Sequence, residues 1–229
     1  MESVSNIVDR VIGERHSVRA FLPTPIPRSA IEAILAVAAR APSGTNIQPW
    51  QVYVLTGQRK IALSDEIVKT FYDDAALATH HEEYDYYPAV WQDPYLTRRR
   101  KIGLDLYGLL GLTRDDKDGM KAQQARNYHF FDAPVGLIFT MDRVMGQGSL
   151  LDYGMFMQNV MLAARARDLD TCPQAAFNQF HRIIRQHLNL PESQKVVCGM
   201  ALGYADPAKI VNSLQTDRES VADFVQFIE

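Results

Sequence analysis

The chain has only two cysteines, no excess of basic charge, and no apolar run approaching the roughly 20 residues that a membrane-crossing helix needs. Cys172 and Cys198 lie far apart without a partner at metal or redox spacing, so both are expected as reduced, buried thiols. A formal net charge of -3 excludes a generally basic surface. The one dense basic run, Arg98-Arg99-Arg100-Lys101, is expected as a solvated helix face, and no nucleic-acid or membrane partner is expected. Neither GxGxxG nor GxxxxGK[ST] occurs, which removes the two commonest phosphate loops. There is no Ser-His-Asp or Cys-His constellation. The run His80-His81-Glu82-Glu83 carries two kinds of metal ligand, but adjacent helical residues point about a third of a turn apart and cannot all face one ion. It is expected as a solvated or lid-flanking run, no metal is expected, and His129, His181 and His187 are expected in structural roles. The start of the chain lacks the charged, apolar and small-residue segments of a secretory signal, so the expectation is a cytoplasmic protein.

What is present is a composition of 47% hydrophobic and 22% charged residues over 229 positions, enough to bury one substantial core. Apolar spacing predicts helices over 3–14, 27–40, 58–79 and 150–168, the last apolar around most of its circumference and suited to a core or a subunit interface. Alternation predicts a strand at 50–57, and continuous apolar runs predict strands at 133–142 and 195–206. Residues 80–125 are aromatic, charged and without a clean period, as in an inserted lobe or lid. Residues 207–229 read as an extended tail with a short helix at 220–228. Strands separated by helices, but few of them, favour one α+β domain over 1–229.

Two stretches carry the chemistry. In "ERHSVRAF" the cations Arg15, His16 and Arg19 follow a helix, whose C-terminal partial charge favours them in any protein. Arg15 and Arg19 also bracket Ser17, and two guanidinium forks with a hydroxyl suit a phosphate monoester. In "APSGTNIQPWQ" turn-forming residues expose the amides of Asn46 and Gln48 and the free backbone at Ser43 and Gly44, groups able to read the polar edge of a heterocycle.

Taken together, Arg15-His16-Ser17-Val18-Arg19 and Pro42-Ser43-Gly44-Thr45-Asn46-Ile47-Gln48-Pro49-Trp50, in this order and followed by a strand, resemble the nitroreductase family of flavoproteins. "FFDAPVGLIFTMD", the long helix, "LDTCPQAAF" and "ALGYAD" followed by Asn212 and Arg218 extend the resemblance to bacterial reductases of nitrobenzene-type substrates over nearly the whole chain.

The resemblance implies a central mixed sheet flanked by helices, an intertwined homodimer with an extended C-terminal tail, and FMN held at the subunit interface. It implies NADH or NADPH as electron donor and a small aromatic substrate, reduced in two-electron steps by a ping-pong mechanism to nitroso and hydroxylamine products. It assigns the FMN phosphate and ribityl chain to Arg15, Ser17, Arg19 and Arg218, with His16 beside them at a position where the family often has arginine. Pro42, Ser43, Gly44 and Asn46 would line the flavin from the other subunit, and the backbone of Thr171, Cys172, Pro173 and Gln174 would run beside the isoalloxazine, where an amide can donate to N5. No side chain need act as acid or base, since the chemistry is at flavin N5. Tyr84, Tyr86, Tyr87, Trp91, Tyr95 and Tyr107 could wall an apolar slot for a flat ring. Tyr86, Trp91 and Tyr95, with Thr45, are the candidate substrate contacts. Reductive dehalogenation, quinone or flavin reduction on the same fold, and a non-catalytic flavin-binding protein are the alternatives.

Overall fold

A computed structural model describes residues 3–229. Its centre is strand β2 (Val135–Asp142), whose apolar run is buried on both sides as a continuous hydrophobic strand must be. β2 lies between β1 (Gln51–Leu55) and β4 (Gln194–Gly203), and β4 in turn pairs with β3 (Asp170–Gln174) at the other edge. All three ladders are antiparallel. The expected mixed character is confined to one parallel bridge, Ser17 to Thr171. β3 escapes detection by alternation because "DTCPQ" contains proline and its first three residues are all buried.

Side-chain alternation along β2 feeds two cores. Ile138 points into one with Phe130, Phe131, Phe177 and Phe180, whereas Leu137, Phe139 and Met141 point into the other with Tyr153, Phe156 and Val160. A bulge opposite Phe139 and Thr140 inserts Val197 into β4, which lets Val196 face the first core and Cys198 the second. Gly199 is dictated by close approach: a Cβ there would stand 2.3 Å from the ring of Phe177, itself stacked on Phe130.

Helices α1 (Val4–Glu14) and α2 (Arg28–Ala38) match the predicted spacing, and α2 buries Ile31, Ile34 and Ala38. α1 is capped by Ser3 but buries no residue, leaving Val4, Ile7, Val8 and Ile12 between 41% and 77% exposed. The helix expected over 58–79 is broken into α3 (Gly57–Tyr72) and α4 (Asp74–Leu77). Asp73 makes the break, its carboxylate accepting from the amides of Ala75 and Ala76, a local bond that competes with helix continuation.

The aperiodic segment 80–125 holds two helices, α5 (Tyr95–Leu109) and α6 (Lys117–Ala125). α5 buries none of its residues, so no apolar stripe was needed to form it and none marks it in the sequence. The long helix is α7 (Gly148–Arg165). One side packs Tyr153, Phe156 and Val160 on the sheet, while Leu151 is 74% exposed. A short α8 (His181–Leu188) precedes β4, and the tail ends in α9 (Val221–Phe224), shorter than expected because only its capping box holds it.

Candidate functional site

The arginine cluster forms because the segment after α1 becomes an added edge to β3. Val18 N–H donates to the Thr171 carbonyl at 3.1 Å, and Leu22 N–H to that of Tyr204 at 2.8 Å. The tail is stapled to the same segment by Asn212. Its carboxamide oxygen accepts from Arg19 N–H at 2.8 Å and its nitrogen donates to the Ala20 carbonyl at 2.8 Å. Arg15, Ser17, Arg19 and, from the far end of the sequence, Arg218 thereby line one cavity of about 870 Å³.

Its electrostatics are unusual for a resting surface. Partial burial, and after it the neighbouring Arg218 guanidinium, lowers the pKa of Arg15, which nonetheless keeps its charge. Arg19 donates to the Ser17 carbonyl at 3.2 Å, and Arg218 folds onto the Thr216 hydroxyl at 2.7 Å. No carboxylate ion pair to Arg15, Arg19 or Arg218 occurs among the described residues. His16 is also at the cavity, its Nδ1 3.0 Å from the Glu14 carbonyl. Gln158 of α7 lines it as well and was missed; its only signal was a polar residue inside an apolar helix.

β3 runs beside this cavity. Cys172 is buried, and burial pushes its thiol up to about 11 against the opposing pull of Arg19, Ser17 and Arg15, so it is no thiolate nucleophile at neutral pH. Cys198 is likewise free and buried, and its thiol is pushed up to about 12. The Thr171 hydroxyl and the Gln174 carboxamide oxygen are buried without a hydrogen-bond partner, although Gln174 Nε2 donates to the Asn127 carbonyl at 2.6 Å. Pro173 and Gln174 also border a second cavity of about 500 Å³, whose other walls include Tyr84, Tyr86 and Met157.

The Pro-Ser-Gly loop is not brought to either cavity. It stands on α7, where Gly44 N–H donates to Asp152 Oδ1 at 3.2 Å, and Pro42 and residues 44–48 are exposed, with Ser43 half-buried. Thr45, Asn46 and Gln48 all have left-handed backbone, with φ of 49°, 60° and 47°, a conformation that costs roughly 1–2 kcal/mol per residue outside glycine. Ser43 Oγ accepts from Gln48 N–H at 3.0 Å and holds the turn closed.

The four candidate substrate contacts separate. Tyr86 lines the cavity next to Pro173, Trp91 and Tyr95 line a third cavity of about 650 Å³ that shares Arg218 with the first, and Thr45 stays with its loop. Arg99 caps that third cavity from 4.6 Å over the Trp91 ring.

The run at 80–83, expected as solvated or lid-flanking, is not solvated at His80, whose Nδ1 is buried without a hydrogen-bond partner, nor at Glu83. His81 and Glu82 are exposed, but the Glu83 side chain is only 4% exposed. Its carboxylate binds the Arg143 guanidinium and the Val196 amide, the latter at 2.7 Å, and lies 3.6 Å from Arg185 and 3.5 Å from His181. Nothing local in the sequence marks it, because its partners come from three other segments. No cluster of His, Cys, Asp and Glu among the described residues has metal-holding geometry, and no described helix is long and apolar enough to cross a membrane.

A family model described as the Nitroreductase family matches residues 12–204, which span both the arginine-lined segment and the strand beside it. The chain belongs to the nitroreductase family. Among relatives of this nitroreductase, a 4-nitrobenzoate reductase of Pseudomonas putida is 43% identical over 228 residues, covering 100% of this chain and 98% of that protein. A chloronitrobenzene nitroreductase of Comamonas testosteroni is 41% identical, covering 98% of each chain. Among solved structures, the FMN and NADPH-dependent nitroreductase NfnB from sphigopyxis sp. strain HMH superposes with a TM-score of 0.93 at 36% identity, over 97% of this chain and 99% of that one.

Proposed function

We propose that this nitroreductase binds FMN and uses NAD(P)H to reduce nitroaromatic compounds to nitroso and hydroxylamine products, in two-electron steps and by a ping-pong mechanism. The observation that carries it is the pairing of Arg15 with Arg218 across one cavity with Ser17 and Arg19, a set of cations without a carboxylate counter-ion. Such a group matches a phosphate dianion, which needs charge-assisted donors from several directions. The orphaned Thr171 hydroxyl and Gln174 carboxamide oxygen, on the strand beside it, fit a flat polar heterocycle. The names of the relatives support the same cofactors and substrates.

When bound, FMN supplies hydride transfer between the nicotinamide and the nitro group. In this reading Arg15, Arg19 and Arg218 hold the phosphate, Ser17 and Gln158 the ribityl chain, and His16 closes the rim. Backbone along Thr171, Cys172, Pro173 and Gln174 would lie against the ring; Pro173 has no N–H and the Cys172 and Gln174 amides face the β4 ladder, so the donor at the end of the strand is the Ala175 amide. Pro42, Ser43, Gly44 and Asn46 would serve the flavin of a second subunit, which accounts for a strained loop displayed away from its own cavities. Homodimerisation is supported by the uncovered apolar face of α1 and by Leu151 on α7. Residues 80–125 act as the lid of one domain, Tyr86, Trp91 and Tyr95 with Thr45 contacting the substrate. A cytoplasmic setting fits the two free thiols.

The test is optical. Purified protein should be yellow, bleach anaerobically with NADH or NADPH, and recover its colour with a nitroarene. A panel with halophenols and quinones separates the alternatives. A protein that retains its colour with both nicotinamides is not this enzyme.

A further inference from the structure

Resting on the FMN reading, we infer that helix α5 of the insert is a positioning device for the cofactor site: Arg98 and Lys101 grip the tail on either side of Arg218 and hold that guanidinium over the phosphate cavity. The two basic residues stand one turn apart on α5, so they share a face. Arg98 reaches Glu219 with both Nη2, at 2.9 Å, and Nε, at 3.0 Å. Lys101 reaches Asp217 at 3.0 Å and its own-helix neighbour Asp105 at 2.6 Å. The gripped residues are the two immediate neighbours of Arg218.

This arrangement answers an electrostatic problem. Arg218 and Arg15 repel each other across the cavity, and the tail that carries Arg218 is exposed from Gln215 to Glu219. Without a restraint, repulsion and chain entropy would move Arg218 away until an anion arrived. Asp217 and Glu219, drawn to α5, hold the tail against that repulsion, so the ordering cost is met before the cofactor binds. The same wall, containing Ile102, Thr216 and Arg218, separates the phosphate cavity from the aromatic cavity of Trp91 and Tyr95. The insert is thereby joined to the cofactor site by charge, in addition to covering it.

Both pairs are exposed, with side chains between 48% and 79% accessible, so water and salt screen them, the effect is modest and it must be read by differences. FMN and riboflavin are titrated by flavin fluorescence into the flavin-depleted full-length protein. The variants are Arg218→Ala, the double variant Arg98→Ala with Lys101→Ala, and the charge exchange Arg98→Glu with Glu219→Arg. The double variant should bind FMN about 3- to 10-fold more weakly and riboflavin, which has no phosphate, unchanged. Before flavin is added, tail amides 214–220 should exchange hydrogen faster in it than in wild type. The charge exchange, which keeps net charge constant, should bind FMN within about 2-fold of wild type. A double variant that binds FMN like wild type while Arg218→Ala weakens it overturns the clamp and leaves the phosphate assignment standing. Wild-type FMN affinity in Arg218→Ala overturns both.

Discussion

Glu83 offers the most direct measurement of how segment 80–94 is tied to the sheet and α8. Its carboxylate is removed from water and compensated by Arg143, the Val196 amide and the nearby Arg185. Removing one member of such a buried group costs about 3–5 kcal/mol when the remaining charges are stranded. Here the stranding is partial. Arg185 keeps bonds to the carbonyls of Pro191 and Gln194 at 2.7 and 2.6 Å, and Arg143 is 42% exposed and keeps the Glu192 carbonyl at 2.8 Å. The loss that remains is a charge-assisted acceptor for the buried Val196 amide and the Arg143 guanidinium, and the countercharge of Arg185. Glu83→Ala should therefore destabilise by about 3 kcal/mol, near the lower end of the buried-pair range. Glu83→Gln, which can still accept from Val196, should cost about 1.5–2 kcal/mol.

The assay is urea unfolding followed by circular dichroism at fixed protein concentration. The midpoint should fall with the slope unchanged, accompanied by a loss of about 6–12 °C in Tm for the alanine variant. Proteolysis within 80–94 should accelerate in parallel, because the start of this segment is then held only by neutral hydrogen bonds: Asn178 with the Glu83 amide at 3.0 Å and the Tyr84 carbonyl at 2.8 Å, the Tyr84 hydroxyl on the Val197 carbonyl at 2.6 Å, and Gln179 on the His80 carbonyl at 3.4 Å. An alanine variant within about 0.5 kcal/mol of wild type would refute the claim that this carboxylate is a buried anchor.

Acid sensitivity should arise at the same place. Burial is the main cause lowering the pKa of His181 and of His80 from 6.5; Glu83 opposes the shift at His181, and cationic neighbours add to it at both. Each imidazole stays neutral in the folded chain while the unfolded chain takes up a proton, so stability is complete above 6.5 and is lost as pH falls through the lowered folded values. Tm should drop below that pH and drop less in His181→Gln; equal profiles would reject the assignment. Gly199→Ala should cost about 1–3 kcal/mol, since Phe177 is fully buried against Phe130 and cannot retreat; chemical denaturation at wild-type stability would show otherwise. Arg19→Ala and Arg218→Ala should each yield largely colourless protein, with FMN affinity down about 10- to 100-fold, and full flavin content after purification would remove them from the phosphate site. Sedimentation at micromolar concentration should show a dimer that Ile7→Glu with Val8→Glu on α1 dissociates, and a monomeric wild type would exclude α1 as an interface.

Local spacing made the arginine-serine-arginine segment and the Pro-Ser-Gly loop legible, because each is a contiguous piece of chain whose chemistry is stated by neighbouring residues. The strands at β1, β2 and β4 were legible for the same reason: alternation or continuous apolarity records how many faces are buried. β3 was not, since a five-residue edge strand with proline has neither signal. α5 was hidden because an unburied helix carries no stripe. The break at Asp73 followed from a single side-chain cap that outweighs the propensity of the residues around it.

The sequence by itself determined the α+β class, the main secondary elements and the two motif segments, because those depend on short-range periodicity and on which donors sit side by side. Only the tertiary structure decided that Arg218 meets Arg15, that the Pro-Ser-Gly loop faces away from its own chain's cavities, and that Glu83 is buried while its neighbours Glu82 and His81 are not. The physical reason is that charge burial and cavity formation depend on which distant segments pack together, and no local pattern of residues reports the partners that a folded chain supplies from elsewhere.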